Sequence, residues 1–152
     1  MNIRPTLIVI ILIICVLAAG CTSLFPVRAP KGPAELTDPS WRMVSYYNDN
    51  GSMATVGPLT NITLKFGEEG NVSGFVDGCR IYSGRYTTIG ETINVTNITE
   101  VSESACTLSE ETSVMETAYF SLLQKSPRFN INEGTLVFGY YDAQRYLVFT
   151  RT

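Results

Sequence analysis

The side chains that could carry chemistry in this 152-residue chain are cysteines and carboxylates, because the sequence contains no histidine. That absence removes the commonest general base and the commonest metal ligand of proteins. No phosphate-binding loop and no metal-ligand spacing occur either. The acids in the middle of the chain are interpreted as ordinary solvated carboxylates: Asp77, Glu110, Glu111 and Glu116. We therefore expect no enzyme activity, no metal site and no cofactor.

The N-terminal segment predicts export of everything that follows it. Arg4 precedes an uncharged apolar run, Leu7–Gly20. As a helix this run is about 21 Å long, shorter than the ~30 Å hydrocarbon core of a bilayer and typical of a signal-peptide h-region. Small residues then lead into Cys21, which resembles the lipobox of exported lipoproteins, where the signal is cut before a cysteine that is lipidated. The alternative is an uncleaved anchor that extends through 24–25.

Both alternatives place the protein outside the cytoplasm, tethered to the outer face of a membrane at the cell surface or envelope. The predicted organisation is a signal peptide with lipobox, or an anchor, over 1–21, a proline-rich tether over 22–39 and a globular body over 40–152. The body carries eight Lys or Arg and twelve Asp or Glu, a net charge of −4. This mildly acidic body has no basic stripe, which excludes nucleic acid as a partner.

Two cysteines remain in the body once the N-terminal segment is set aside, Cys79 and Cys106. An even pair in an exported domain is typical of a disulfide. It would close a loop of about 27 residues and stabilise the fold by roughly 3–4 kcal/mol in the chain-entropy model. The alternative is two buried free thiols, while the spacing argues against a CxxC redox pair. Five Asn-x-Ser/Thr triplets in the exported part predict N-glycosylation sites at Asn50, Asn61, Asn71, Asn94 and Asn97.

Most of the body alternates apolar and polar residues with a period of two, which predicts β-strands. Hairpin-type turns separate the runs, for example at Asn132–Gly134 near the C-terminus. With about six to eight such runs, the predicted fold class is α+β. We expect a curled antiparallel β-sheet, or a partly open barrel, with one long helix packed on it. The apolar N-terminal helix and the tether precede it.

The one helical stretch is predicted over Leu108–Gln124, which lacks Gly and Pro. Thr107 and Glu110 have capping-box spacing at its start, and Pro127 ends it. The apolar spacing i, i+3, i+4, i+7 predicts a buried face. The residues that we expect to bury most are Met115, Tyr119 and Leu122.

The most distinctive run is Gly78–Tyr86, Gly-Cys-Arg-Ile-Tyr-Ser-Gly-Arg-Tyr. It follows Trp41-Arg42-Met43 and precedes both an Ala-Cys pair at Cys106 and a Met-Glu pair at 115–116. This order resembles the META domain family, the HslJ-like heat-shock lipoproteins, over about 40–152. Arg80 departs from the family's usual Asn, and Ser104 from its usual Met.

The resemblance implies a fold and an envelope location, together with a loose link to envelope stress, heat stress and drug resistance. We therefore predict a non-enzymatic cell-envelope module that acts in envelope or heat-stress tolerance by binding a partner. Arg80, Tyr82 and Tyr86 are the candidate binding surface, and a purely structural turn is the competing interpretation.

The alternative function is a small-ligand-binding or inhibitor domain at the membrane surface, with its site at the barrel mouth. The partners expected are the membrane, through the N-terminal lipid or helix, and an unknown protein or small ligand. A concavity with converging polar groups would favour a ligand. A filled barrel with a flat apolar patch would favour a protein.

Overall fold

The computed structural model describes residues 32–47, 51–102, 107–140 and 145–152. The predicted h-region, Cys21, Asn50 and Cys106 lie outside these ranges, so the predictions that fall on them stay predictions. Within the ranges, no helix has both the length and the apolar character needed to cross a bilayer.

Nine strands and two helices occur in the described residues. The strands are β1 Ser40–Tyr47, β2 Met53–Thr55, β3 Thr63–Phe66, β4 Asn71–Val76, β5 Arg80–Ile89, β6 Thr92–Ser102, β7 Phe129–Asn132, β8 Thr135–Tyr140 and β9 Arg145–Arg151. The helices are α1 Ala34–Thr37 and α2 Glu110–Lys125.

All nine strands belong to one antiparallel sheet with the order β6-β5-β4-β3-β1-β9-β8-β7, and β2 pairs with β1 beside this path. The sheet curls until its two outermost strands meet at one end. There the Ile93 amide donates to the Pro127 carbonyl and the Phe129 amide donates to the Glu91 carbonyl, both at 2.9 Å. The sheet is thus a half-barrel, and the predicted curled antiparallel sheet with one packed helix is confirmed. The predicted number of strands was too low.

The interior of the half-barrel is filled by the inward-facing side chains of the strands and by one face of α2, which packs against β6, β8 and β9. Alternation along β1 shows the pattern, because Trp41 and Met43 are buried whereas Arg42 between them is exposed. The largest fully buried side chains are Trp41, Tyr82, Tyr119, Phe66, Phe138 and Phe149.

The domain starts before Ser40, so the tether predicted over 22–39 was too long. Leu36 in α1 is fully buried, and its carbonyl accepts a 3.1 Å hydrogen bond from the indole nitrogen of Trp41. A buried tryptophan needs an acceptor for its N–H, and the turn of α1 supplies it. Pro33 and Pro39, the prolines of this stretch that the structure describes, flank α1.

The long helix differs from its prediction in its start and in its buried face. Its N-cap is Ser109, whose hydroxyl accepts from the Thr112 amide at 3.1 Å, rather than Thr107. Met115 and Tyr119 are buried as predicted, whereas Leu122 is only half-buried. The buried face follows the 3.6-residue period from Thr112, and its members are Thr112, Met115, Glu116, Tyr119, Phe120 and Leu123.

Candidate functional site

A tight turn between β4 and β5 ties the sheet to the start of α2. Asp77 has φ of 50° and Gly78 has φ of 65°; such left-handed angles suit glycine and, among other residues, mainly Asn and Asp. One Asp77 carboxylate oxygen accepts from the Asn61 amide at 2.6 Å, and the other accepts from the Thr112 hydroxyl at 3.1 Å. Asp77 therefore anchors the turn. The interpretation of Asp77 as an ordinary solvated acid was wrong.

Arg80 follows this turn and lies between two carboxylates. Its guanidinium is 2.8 Å from Glu116 Oε2 and 3.6 Å from Glu100 Oε2, and a third of its side chain is exposed. Glu116 is 4 % exposed, so its interpretation as a solvated acid was wrong. The sequence missed this because Glu116 lies beside Met115, and helical periodicity alone does not fix which neighbour faces inward.

Glu116 is a buried acid whose negative charge is only partly compensated by Arg80. Burial raises the pKa of Glu116, Arg80 lowers it, and the negative charges of Glu100 and Asp77 raise it further. Its other oxygen, Oε1, is buried and has no hydrogen-bond partner among the described residues. An uncompensated buried charge is costly, so Arg80 serves first to stabilise this part of the helix.

Tyr82 and Tyr86, predicted as part of a binding surface with Arg80, are 1 % and 2 % exposed and belong to the core. They share one face of β5, as their spacing predicted, but it is the inner face. The Tyr82 hydroxyl donates to the Thr63 carbonyl at 2.6 Å and lies 2.5 Å from the Tyr119 hydroxyl. The Tyr86 hydroxyl donates to the Gly67 carbonyl at 2.8 Å.

Both tyrosine hydroxyls are too buried to ionise readily. Burial raises the pKa of Tyr82, an effect that the hydrogen bond with Tyr119 partly offsets. Burial also raises the pKa of Tyr86. Gly74 explains how Tyr82 reaches across β4, because a Cβ there would collide with the Tyr82 hydroxyl and with the Thr63 carbonyl. Of the three predicted surface residues, only Arg80 is open to solvent.

Cys79 lies in the same turn, and its predicted partner Cys106 lies outside the described residues. The described chain on both sides of that segment is close to the turn. Arg80 pairs with Ser102 at the end of β6, and Thr112 in the first turn of α2 hydrogen-bonds to Asp77. The chain between Ser102 and Thr112 therefore starts and ends next to Cys79, and the disulfide remains a prediction that this arrangement favours.

A concavity that could hold a ligand lies on the outer face of the sheet, among the described residues. It is an open concavity of about 660 Å³ over β1, β3, β4 and β5, a size that falls within the usual range of ligand sites. Its lining is Ser40, Arg42, Asn61, Thr63, Leu64, Lys65, Ser73, Gly74, Phe75, Ile81 and Thr152. The sequence did not identify this site, because its residues come from four strands and only the register brings them together.

Strand register places five of the outer residues in one row across the sheet, which we call the outer row: Arg42, Thr63, Phe75, Ile81 and Val101. Arg42 pairs with Thr63, Phe75 pairs with Ile81, and Ile81 pairs with Val101. The Phe75 amide donates to the Thr63 hydroxyl at 3.1 Å, which joins the two halves. Ile81 is 54 % exposed and Val101 is 63 % exposed. The outer row therefore runs from a cation at β1 to exposed apolar groups at β5 and β6.

The asparagines of the predicted glycosylation triplets that the structure describes are all exposed: Asn61, Asn71, Asn94 and Asn97. Exposure is necessary for modification and does not test it. Among the described residues, no group of three or more Asp, Glu or Cys side chains is arranged to hold a metal ion.

A family model for the META domain matches residues 34–152, which include α1 and every strand. The chain belongs to the META domain family. The match begins within α1, in agreement with a domain that starts before Ser40. No curated protein matches the chain.

Solved structures share the META fold of this chain at low sequence identity. An NMR structure of a protein from Burkholderia xenovorans is 22 % identical, with a TM-score of 0.60, over 78 % of this chain and 86 % of that one. A DUF4847 family protein from Bacteroides vulgatus is 13 % identical, with a TM-score of 0.54, over 76 % of this chain and 93 % of that one. At such identities the likeness concerns the fold alone.

Proposed function

We propose that this META domain is a non-enzymatic module of the cell envelope that acts in envelope or heat-stress tolerance by binding a partner. Its binding site is the concavity on the outer face of the sheet. The observation that carries this proposal is the outer row, where two exposed aliphatic side chains continue from a concavity that also presents Arg42 and Lys65. Exposed apolar groups beside polar ones are typical of interaction sites.

The non-enzymatic role is supported by what the candidate acids do. Asp77 is held by two hydrogen bonds, and Glu116 is buried against Arg80. A general acid or base must reach a substrate, and neither group faces the outer concavity. The hydroxyls of Tyr82 and Tyr86 are bonded within the core.

The N-terminal tether would hold the concavity close to the membrane. Ten residues, 22–31, separate Cys21 from the start of the described domain, and such a segment spans at most roughly 40 Å when fully extended. The chain then enters through α1, and the Lys65 ammonium on the concavity donates to the Asp38 carbonyl at 2.6 Å. The site is therefore next to the point where the chain enters the described domain.

Replacement of Cys21 by serine tests the anchor. We expect Cys21→Ser to leave an unprocessed precursor or to release the protein from membranes, as measured by intact mass and fractionation. Cys15→Ser is the matched control and should change neither. Unchanged mass and retention of Cys21→Ser would favour the uncleaved anchor.

Site-specific photocrosslinking tests the binding site. A photoreactive amino acid at Ile81 should give discrete adducts in native membranes after heat stress, whereas one at Ile89 should not. Ile89 lies on the outer side of the same strand, away from the concavity. The double variant Arg42→Glu/Ile81→Asp should fail to restore stress tolerance to a deletion strain. Equal crosslinking at both positions, or full restoration, would contradict the proposal.

A small-ligand role is the second candidate function, and the volume of the concavity favours it. Buried side chains pack in the interior of the half-barrel, whereas the concavity lies on the outer face. A small ligand would instead occupy the outer face.

A further inference from the structure

The outer row is cationic at its β1 end and becomes apolar toward its β6 end. The β1 and β3 end carries Arg42, with Lys65 beside it, and the β5 and β6 end carries Ile81 and Val101. Half-buried Phe75 lies between the two ends. Strands are spaced about 4.8 Å apart, so the apolar part from β4 to β6 extends over roughly 10 Å and the whole row over roughly 19 Å.

We propose that the outer row binds a single-chain anionic amphiphile, with its acid group at Arg42 and Lys65 and its alkyl chain along Phe75, Ile81 and Val101. This inference rests on the proposed function, since it names the chemistry of the partner at the same site. A fatty acid is the simplest molecule of this class. Its length and its charged end match the length and the polarity of the row.

The two cations are available for an anion. Among the described residues, no carboxylate is ion-paired with Arg42 or Lys65. The Lys65 ammonium donates to the Asp38 and Pro39 carbonyls, and an ammonium has three donors. Lys65 therefore keeps a donor for an anion, and both cations line the concavity.

A free amphiphile suits this surface better than an intact bilayer does. The row from Arg42 to Ile81 lines a concavity, whereas a bilayer surface is contacted by protruding apolar groups backed by many cations. The body carries a net charge of −4, which disfavours approach to anionic lipid. A single chain needs only two cations and a short row of apolar side chains.

Photolabelling with a diazirine derivative of dodecanoate tests the proposal on the full chain in phosphatidylcholine nanodiscs. We expect adducts to map to the peptides that contain Phe75, Ile81 and Val101, and excess dodecanoate to abolish them. Excess dodecyltrimethylammonium, which has the same chain and the opposite charge, should leave them unchanged. Labelling spread over all exposed apolar residues, including Leu59 and Val114, would overturn the proposal as binding without a site.

Charge reversal separates the site from general hydrophobic labelling. Arg42→Glu should reduce labelling of the row about tenfold or more, equivalent to the loss of roughly 1.4 kcal/mol of affinity. Arg85→Glu reverses an exposed charge on the outer side of β5, away from the concavity, and should have no effect. The same comparison is made at the apolar positions, where Ile81→Asp should reduce labelling of the row and Ile89→Asp should not. Near-identical melting of all four variants shows that folding is intact, and equal labelling of Arg42→Glu and the parent protein would overturn the proposal.

Two further outcomes distinguish the sources of contact. Labelling of the row by a diazirine phospholipid, with none by the dodecanoate probe, would replace the amphiphile with bilayer docking. Protein adducts at Ile81 in native membranes without dodecanoate labelling would leave the proposed function standing and overturn this inference. No adducts and no labelling would contradict both.

Discussion

The two faces of the sheet differ in burial and in hydrogen bonding. The inner face carries large aromatics whose polar atoms are bonded, as with Trp41 to Leu36 and Tyr82 to Thr63. The outer face of the same strands carries Arg42, Phe75 and Ile81, whose side chains are exposed or half-buried and line the concavity. The inner face therefore accounts for stability, and the outer face is free to account for binding.

Adjacent residues on β1 give the sharpest test of this difference. Trp41→Ala should lower the free energy of unfolding by about 3–5 kcal/mol, because it leaves a cavity in a filled core. Arg42→Ala, one residue away and exposed, should change it by less than about 0.5 kcal/mol. Denaturant unfolding of both variants measures the contrast. Comparable losses in the free energy of unfolding would contradict the assignment of stability to the inner face alone.

The turn that joins β4 and β5 belongs to neither face, and its predicted staple can be tested directly. Cys106→Ala should cost roughly 2–5 kcal/mol if the Cys79–Cys106 bond is present. Reducing agent should destabilise the parent protein similarly and leave Cys106→Ala unchanged. A parent protein whose melting temperature ignores the reductant would contradict the staple and favour free thiols.

Arg80 tests whether the charged pair at the end of the half-barrel is structural. Arg80→Ala should cost about 1–3 kcal/mol near neutral pH, since it leaves Glu116 buried without its cation. Because burial raises the folded-state pKa of Glu116 above its usual value of 4.5, stability from this group is present below that value. It is lost as the pH rises through the folded-state pKa.

The pH profile of unfolding supplies the controls for this pair. In Arg80→Ala the decline should extend to higher pH, because the cation that lowers the Glu116 pKa is gone. In Glu116→Gln this contribution to the pH dependence should vanish. A pH profile of Arg80→Ala that parallels the parent profile would show that the pair is not coupled.

Tyr82 gives the smallest expected effect on the inner face. Tyr82→Phe keeps the ring and removes a hydroxyl that bonds to Thr63 and Tyr119, so we expect a loss of about 1 kcal/mol. Thermal unfolding measures it, with Tyr46→Phe as a control, because no hydrogen bond of the Tyr46 hydroxyl occurs among the described residues. Equal losses in both variants would show that the hydroxyl network adds no stability beyond packing.

Local patterns in the sequence predicted much of the fold and little of the site. Period-two alternation identified strands β3, β8 and β9. It also predicted that Tyr82 and Tyr86 share one face of their strand. It could not say that this face is the inner one, because the choice of face depends on how the sheet curls. Leu36 was assigned to a tether since a four-residue helix carries no periodic signal, and its burial depends on Trp41, which lies outside that stretch.

The outer row was out of reach for the same physical reason. Arg42, Phe75 and Val101 are far apart in the chain and join one row only through the register of five strands. The motif at Gly78–Tyr86 drew attention to the correct strand, β5. The residue that we propose for binding there is Ile81, which alternation places on the opposite face of the strand from the two tyrosines.

Hydroxyl-radical footprinting tests most directly whether the outer face is the one that is used. The oxidation rates of Phe75, Ile81 and Val101 should fall several-fold in native membranes relative to the purified protein, while those of Ile89 and Leu59 stay the same. Arg42→Glu should restore the fast rates in membranes. Equal rates for Ile81 in both settings, or equal protection of Ile89, would contradict a binding site on this face.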